Sequence, residues 1–263
     1  IMCTRCVRFA DEISGTSELF IDGRGAKEYI DVFPGIGINN ELSGNVIDIC
    51  PVGAMLDKDF MFQQRVWFLK TTPSIDPLTS SGDNIIIEQN DNAIYRVKPR
   101  TNLEINQYWI TDEVRYGWKF VHDESRITEI NDDAEIVAAD MLQQAKSVAL
   151  LVSPMLSCED AWLLGNLVRG LDSNAIIGIG PVPIVGEDKT FKSGFTMRSE
   201  KAPNARGVQR ALGDALDYDA WKKQVGNADT VVITGNYPEA WDTPEITENQ
   251  TLILIDTLAN ALI

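Results

Sequence analysis

With 263 residues, 44% of them hydrophobic, the chain is long enough for a sizeable core and for two or three domains. Its formal net charge of −16 disfavours nucleic acid and anionic lipid as partners. No run approaches the roughly 20 apolar residues that cross a bilayer, and the chain opens Ile1-Met2-Cys3 rather than with the basic and apolar regions of a signal peptide. Direct membrane insertion is therefore not expected, and any membrane association should come through a partner. The four cysteines are too sparse for a disulfide-stapled secreted domain, which points to a reducing compartment. The chain does not begin with Met and closes just after the apolar run Leu252-Ile253-Leu254-Ile255. A buried strand needs cover on both faces, so the sequence reads as an internal piece of a longer polypeptide.

Residues 1–62 hold three of the four cysteines and many glycines, with weak periodicity, as expected where a cofactor supplies part of the core. Residues 63–120 read as short strands and turns. Asn84-Ile85-Ile86-Ile87-Glu88 and Ala93-Ile94-Tyr95-Arg96-Val97 flank Gln89-Asn90-Asp91-Asn92, a hairpin signature, and Asn106-Gln107-Tyr108-Trp109-Ile110 is predicted to pack on it. From about 121 the pattern changes. A helix is predicted over 134–145 with Ile136, Val137, Met141 and Leu142 inward, then a strand over 147–152, a helix over 159–171 capped by Ser157, and a strand over 174–179. Helices follow near 205–215 and 217–226, and strands at 230–234 and 251–255. Alternating helices and continuously apolar strands predict a parallel α/β layer. The fold class is thus α+β and α/β multidomain: a cluster-binding domain over 1–62, a small β-rich domain over 63–120, and a partial α/β domain over 121–263.

Cys3 and Cys6 form a C-x2-C pair, a spacing that zinc and iron–sulfur sites share. Cys50 is followed by Pro51 in Asp48-Ile49-Cys50-Pro51-Val52-Gly53-Ala54, and bacterial ferredoxin runs also end in Cys-Pro. This context favours Cys3, Cys6 and Cys50 as three of the four ligands of a [4Fe–4S] cluster; a zinc knuckle and ordinary buried cysteines are the alternatives. A C-x2-C-x2-C run would put the missing ligand just before Ile1. Arg5 and Arg8 lie beside the ligands, and the first ten residues contain no acid. A thiolate-ligated cluster is net negative, so nearby cations and N–H groups would stabilise it and raise its potential, although the arginines also read as solvated surface charge. Gly35, Gly37 and Gly44 are expected to let backbone approach the sulfurs.

Other signals carry less. Gly178-Ile179-Gly180-Pro181-Val182-Pro183 begins like a dinucleotide loop, but Pro183 stands at the sixth position and Pro181 has no N–H, so a turn is predicted. His122 is the only histidine and reads as a surface or domain-junction residue. Asp76 and Asp83, in a turn-rich segment, read as structural. Cys158 follows Ser157 at a helix start and reads as a buried structural cysteine.

The stretches Cys3-Thr4-Arg5-Cys6-Val7-Arg8-Phe9 and Gly44-Asn45-Val46-Ile47-Asp48-Ile49-Cys50-Pro51-Val52-Gly53-Ala54 resemble the large iron–sulfur subunit of respiratory complex I, which is the G subunit of bacterial NADH:quinone oxidoreductase. In that family a C-x2-C-x2-C run is followed by a distant fourth cysteine and Pro-Val-Gly-Ala; here 43 residues separate Cys6 from Cys50. The resemblance continues through Ser74-Ile75-Asp76, Gly82-Asp83-Asn84-Ile85, Pro99-Arg100, Glu104-Ile105-Asn106 and Trp109-Ile110-Thr111-Asp112, and so covers residues 1–120. Residues 121–263 agree only in fold type with the family's molybdopterin-oxidoreductase-like region. The resemblance implies an electron-transfer subunit that relays electrons from the NADH–flavin module toward quinone by outer-sphere transfer. It implies further clusters upstream and other complex I subunits as partners, including the flavin/NADH-binding subunit and the rest of the peripheral arm. It also implies a peripheral position on the cytoplasmic face of a bacterial inner membrane, or the matrix side in a mitochondrion. Molybdenum relatives and some bacterial subunits carry another cysteine set at the start of the region matching 70–115. None occurs here, so no second cluster is expected. No molybdopterin is expected either, because the loop after Ile179 carries two prolines and Gly235-Asn236-Tyr237-Pro238-Glu239 sets an acid near its glycine. Two alternatives remain open. One is the alpha subunit of an NAD-dependent formate dehydrogenase, which would want a molybdenum ligand and a cluster motif near 70–100. The other is the iron–sulfur subunit of a hydrogenase, whose C-x2-C-x2-C-x3-C-Pro run is broken here by Val7-Arg8-Phe9-Ala10.

Overall fold

The computed structural model describes residues 2–127, 133–235 and 241–258. The chain forms two compact units: Ile1–Lys119 with Val185–Ser199, and Phe120–Ile184 with Glu200–Ile263. Among the described residues, no helix is long and apolar enough to cross a membrane.

In the first unit, α1 (Arg5–Arg8) runs into a π-helical turn, Phe9–Ser14, that ends on Gly15 in the left-handed region. Strands β1 (Leu19–Asp22) and β2 (Tyr29–Val32) pair antiparallel, and α2 (Asn45–Ile49) follows. Phe9, Ala10, Leu19, Leu42 and Val46 are buried together with Cys6. Next comes an antiparallel sheet of β3 (Lys70–Ile75), β4 (Asn84–Asn90) and β5 (Ala93–Pro99) in that order. β4 and β5 are the predicted hairpin. Asp91 and Asn92 both have positive φ, 48° and 62°, as a two-residue turn matching the strand twist requires. β3 is an edge strand, where Pro73 costs no interior ladder bond. The 106–110 stretch packs as predicted: Ile110 is buried with Ile85, Val97 and Val114 of α3 (Asp112–Tyr116). The buried Asn106 amide donates to the carbonyls of Asn84 (3.3 Å), Arg100 (3.3 Å) and Trp109 (3.0 Å).

Asp76 and Asp83 close one turn of this unit, and both are almost wholly buried, at 2% and 1% exposure. Asp76 accepts the Leu78 N–H at 2.8 Å and the Thr79 hydroxyl. One oxygen of Asp83, Oδ2, has no partner. Burial pushes the Asp76 carboxyl up to about 6, against the Thr79 and backbone hydrogen bonds. Burial first, and then the neighbouring Asp76, push Asp83 up to about 7.

The second unit begins with α4 (Ala134–Gln144), β6 (Val148–Val152), α5 (Cys158–Leu171) and β7 (Ile176–Ile179). Ser157 caps α5 by accepting the Asp160 N–H at 3.0 Å. The chain then returns to the first unit, where β8 (Lys189–Thr190) and β9 (Thr196–Met197) form a small hairpin and Phe191 and Phe195 join the core around Cys6. Back in the second unit lie α6 (Ala205–Leu212), α7 (Tyr218–Lys222), β10 (Thr230–Thr234) and β11 (Thr251–Ile255). The sheet is parallel throughout, in the order β11-β10-β6-β7. Alternation along β6 explains its unbroken apolar run. Val148, Leu150 and Val152 enter a core with Ala161 and Val168 of α5 and Val208 and Leu212 of α6; Ala149 and Leu151 face Trp221 and Val225. The α4 prediction needs correction. Ile136, Val137 and Met141 are exposed, while Leu142 meets the core as expected, joined by Ala138 four residues before it. A shift of one residue, about 100° around the helix axis, in which stripe faces the core is set by packing, which helical periodicity alone does not choose.

Gly178 sits where β7 passes under Trp221; a Cβ there would lie 2.6 Å from the indole. Trp221 is fully buried and its indole N–H donates to the Ile176 carbonyl at 3.2 Å. Gly178→Ala should therefore cost about 1–3 kcal/mol and Trp221→Ala about 3–5 kcal/mol, read as loss of midpoint stability in urea. The Asp83 carboxyl has a raised pKa, so the fold binds more protons than the unfolded chain. Its contribution is fully present below the unfolded value near 4 and is lost as pH rises through about 7. Measured against the parent, the stability of Asp83→Asn should move in the variant's favour by about 3 kcal/mol between pH 4 and pH 8, at ~1.4 kcal/mol per unit of pKa; a difference independent of pH would show that Asp83 stays charged in the fold.

Candidate metal centre

Cys3, Cys6 and Cys50 line one cavity of about 360 Å³ together with Met2, Arg5, Glu28, Tyr29 and Met55. Cys3 and Cys6 lie at either side of the start of α1, one turn apart, and Cys50 caps the C-terminus of α2. Between the first two, Thr4 has φ 58°. A β-branched residue in the left-handed region is strained by about 1–3 kcal/mol, and this strain falls where the thiols are aimed. Cys6 is buried, while Cys3 and Cys50 are half-buried.

The thiols sense one another. Burial pushes Cys6 up against backbone hydrogen bonds at Val7 and Cys6, and charge on Cys3 and Cys50 adds to the rise. Cys50 is pulled down, chiefly by backbone hydrogen bonding at Val52, then at Met55 and Ala54, against burial. Three soft donors lining one cavity, with a guanidinium beside them, suit a metal group that keeps its thiolates ionised. Glu28 is an acid at the same cavity, brought there by β2 from a stretch without motif character. Among the described residues, no three His, Cys, Asp or Glu side chains group around a single metal ion.

Several sequence expectations change here. Arg5 lines the cavity, but Arg8 is exposed at the end of α1. Gly35 and Gly37 have open space where a side chain would stand, and Gly44 approaches Arg115 and Asp112, not sulfur. Cys158 is exposed, not buried; α5 starts at the surface, and its thiol lies 3.5 Å from the Asn204 amide nitrogen. His122 is exposed. Ile179, Gly180, Pro181 and Val182 border a separate cavity of about 690 Å³ in the second unit, with Arg206, Arg210 and Tyr218. Residues 236–239 of the glycine-acid loop after β10 lie outside the described residues. Beyond the motif, Glu28, Tyr29, Ile30 and Met55 complete the cysteine cavity, and only the fold brings them there.

Comparison with known proteins gives this geometry a context. Residues 1–56 match the family model described as NADH-quinone oxidoreductase subunit 3, ferredoxin-like domain. Residues 69–119 match the NADH-ubiquinone oxidoreductase NDSU1/NuoG-like, 4Fe-4S domain, although this stretch contains no cysteine. Among relatives, the mitochondrial NADH dehydrogenase [ubiquinone] iron-sulfur protein 1 of Solanum tuberosum is 36% identical over 219 residues, 76% of this chain and 29% of that protein. The NADH-ubiquinone oxidoreductase 75 kDa subunit of Acanthamoeba castellanii is 47% identical over 118 residues, 45% of this chain and 18% of that protein. The G subunit of the NADH-quinone oxidoreductase of Rickettsia felis is 33% identical over 187 residues, 66% of this chain and 28% of that protein. The chain thus spans less than a third of the length of these relatives. These matches favour the complex I reading over the formate dehydrogenase and hydrogenase alternatives. The ferredoxin-like match coincides with the segment that carries Cys3, Cys6 and Cys50, and identity to one relative extends over three-quarters of the chain: it belongs to the family of NuoG-like iron–sulfur subunits of NADH:quinone oxidoreductase.

Proposed function

We propose that this chain is the part of a complex I iron–sulfur subunit that holds one [4Fe–4S] cluster, with Cys3, Cys6 and Cys50 as three of its thiolate ligands. The observation that carries the reading is that these cysteines, distant in sequence, line a single cavity. The cluster, when bound, supplies one-electron transfer without making or breaking a substrate bond. The chain's residues provide the rest. Cys6 is buried among apolar side chains that exclude water, Arg5 offers positive charge, and the 52–55 loop supplies backbone hydrogen bonds at Cys50. Electrons would pass from the NADH–flavin side toward quinone, with the flavin/NADH-binding subunit and others of the peripheral arm as partners. The position would be peripheral, on the cytoplasmic or matrix side of the membrane.

Residues 1–62 would form the cluster domain, 63–120 a β-rich domain without a second cluster, and 121–263 a molybdopterin-oxidoreductase-like scaffold without a pterin. The parallel sheet and its covered faces support the last assignment, and the prolines at 181 and 183 leave the loop after β7 poor in the N–H donors that a phosphate group needs. Stoichiometric molybdenum in the purified full-length subunit would overturn it.

In the assembled complex, Cys50→Ser replaces a soft thiolate by a poor hydroxyl ligand. The signal of this cluster should disappear or change, and electron flow to quinone should stop. NADH oxidation by an artificial acceptor at the flavin should persist. Normal quinone reduction in that variant would show that Cys50 holds no essential cluster.

A further inference from the structure

The segment matched at 69–119 contains no cysteine, and it packs on the helix that leads to Cys50. α2 is a single turn of five residues with no side-chain cap of its own, too short to hold its direction unaided. Its last residue leads directly to Cys50, whose N–H meets the Ile47 carbonyl at 3.4 Å. The polar contacts that orient α2 come largely from residues 98–115. Asp112 accepts the Gly44 N–H through Oδ1 at 2.8 Å and the Ser43 hydroxyl through Oδ2, and its own N–H donates to the Glu41 carbonyl at 2.7 Å. Asn45, fully buried, donates to the Ile110 carbonyl at 2.7 Å and accepts the Ile110 N–H at 3.2 Å. Arg115 Nη2 donates to Asn45 Oδ1 at 3.2 Å and to Asp48 Oδ2 at 2.7 Å, and Lys98 stands 3.4 Å from Asp48 Oδ1.

The fit leaves no slack. A Cβ at Gly44 would lie 2.5 Å from Arg115 Nε and 2.8 Å from Asp112 Oδ1. The Arg115 side chain is 5% exposed, and its Nε has no partner although it is buried. Leaving that donor unmet opposes stability. The guanidinium is kept in place by the two bonds of its Nη2, both directed to the helix that ends at Cys50.

We propose that Arg115 and Asp112 are positioning residues for Cys50, clamping α2 so that its thiol faces the cavity of Cys3 and Cys6; this rests on the reading of Cys50 as a cluster ligand. The cysteine-free segment then serves as a splint. Lysine cannot replace arginine here, because one ammonium on a flexible stem does not reproduce the guanidinium's planar, fixed donor geometry toward Asn45 and Asp48.

The test uses the full-length polypeptide, reconstituted anaerobically with iron and sulfide. Arg115→Lys retains the buried charge. Arg115→Met combined with Asp48→Asn removes both charges together, so that no lone carboxylate is left buried. Lys119→Met, which breaks the exposed pair with Asp59 and the contact over the Tyr116 ring but none of the bonds to α2, is the control. Thermal melts followed by circular dichroism establish that each variant is folded. Both Arg115 variants should assemble the cluster but lose its iron to a chelator about 10–100-fold faster than the parent, the range seen when groups behind metal ligands are removed, and the electron paramagnetic resonance line shape of the reduced cluster should change. The control should behave as the parent does. Parent-like iron loss and line shape in a folded Arg115 variant would overturn the clamp while leaving the ligand assignment standing. A parent that assembles no cluster would overturn the ligand assignment, and the clamp with it.

Discussion

The approach of Arg115 to α2 is the contact on which the first unit turns. A chain that supplies metal ligands from positions 3, 6 and 50 must bring two segments together and hold them with little regular structure near the cysteines. α1 has four residues and α2 has five. Neither is stable by itself. Arg115, Asp112 and Asn45 tie the second of these helices to the three-stranded sheet's domain by buried hydrogen bonds, and Gly44 is the residue that lets them come close.

Charge is distributed unevenly in this acidic protein. The cysteine cavity has one acid, Glu28, and one cation, Arg5. Asp48 is neutralised by Arg115 and Lys98 before the chain reaches Cys50. Asp76 and Asp83, by contrast, are buried without an ion pair among the described residues, and burial makes them hold their protons more tightly. The first arrangement keeps charge ordered near the thiols, and the second stores a proton-dependent term in a turn between β3 and β4.

The second unit follows a simpler rule. Its sheet is covered on both faces, so β6 can be apolar at every position, and every residue of β6 and β10 is buried. The indole of Trp221 against Gly178 and the cap at Ser157 are local solutions within that frame. Residues 185–199 leave this unit and place Phe191 and Phe195 beside Cys6. Nothing in their composition announces it, since two phenylalanines in a short turn-rich stretch would fill either core equally well.

The sequence by itself determined the features whose signals are local. The Cys-x2-Cys and Cys-Pro motifs marked the thiols, the turn-forming stretch 89–92 marked the hairpin, Ser157 marked the start of α5, and the apolar runs at 230–234 and 251–255 marked strands with the bounds the structure has. Backbone preference and side-chain period depend on near neighbours, so they can be read from order alone. Tertiary structure alone decided which stripe of α4 faces the core, that Cys158 is exposed, that Gly44 meets Arg115 in place of a sulfur, and that Glu28, Tyr29 and Met55 border the cysteines. Each of these depends on groups far apart in the chain packing at van der Waals distance, where a one-residue rotation of a helix or the reach of one guanidinium chooses among arrangements that the local pattern leaves equal.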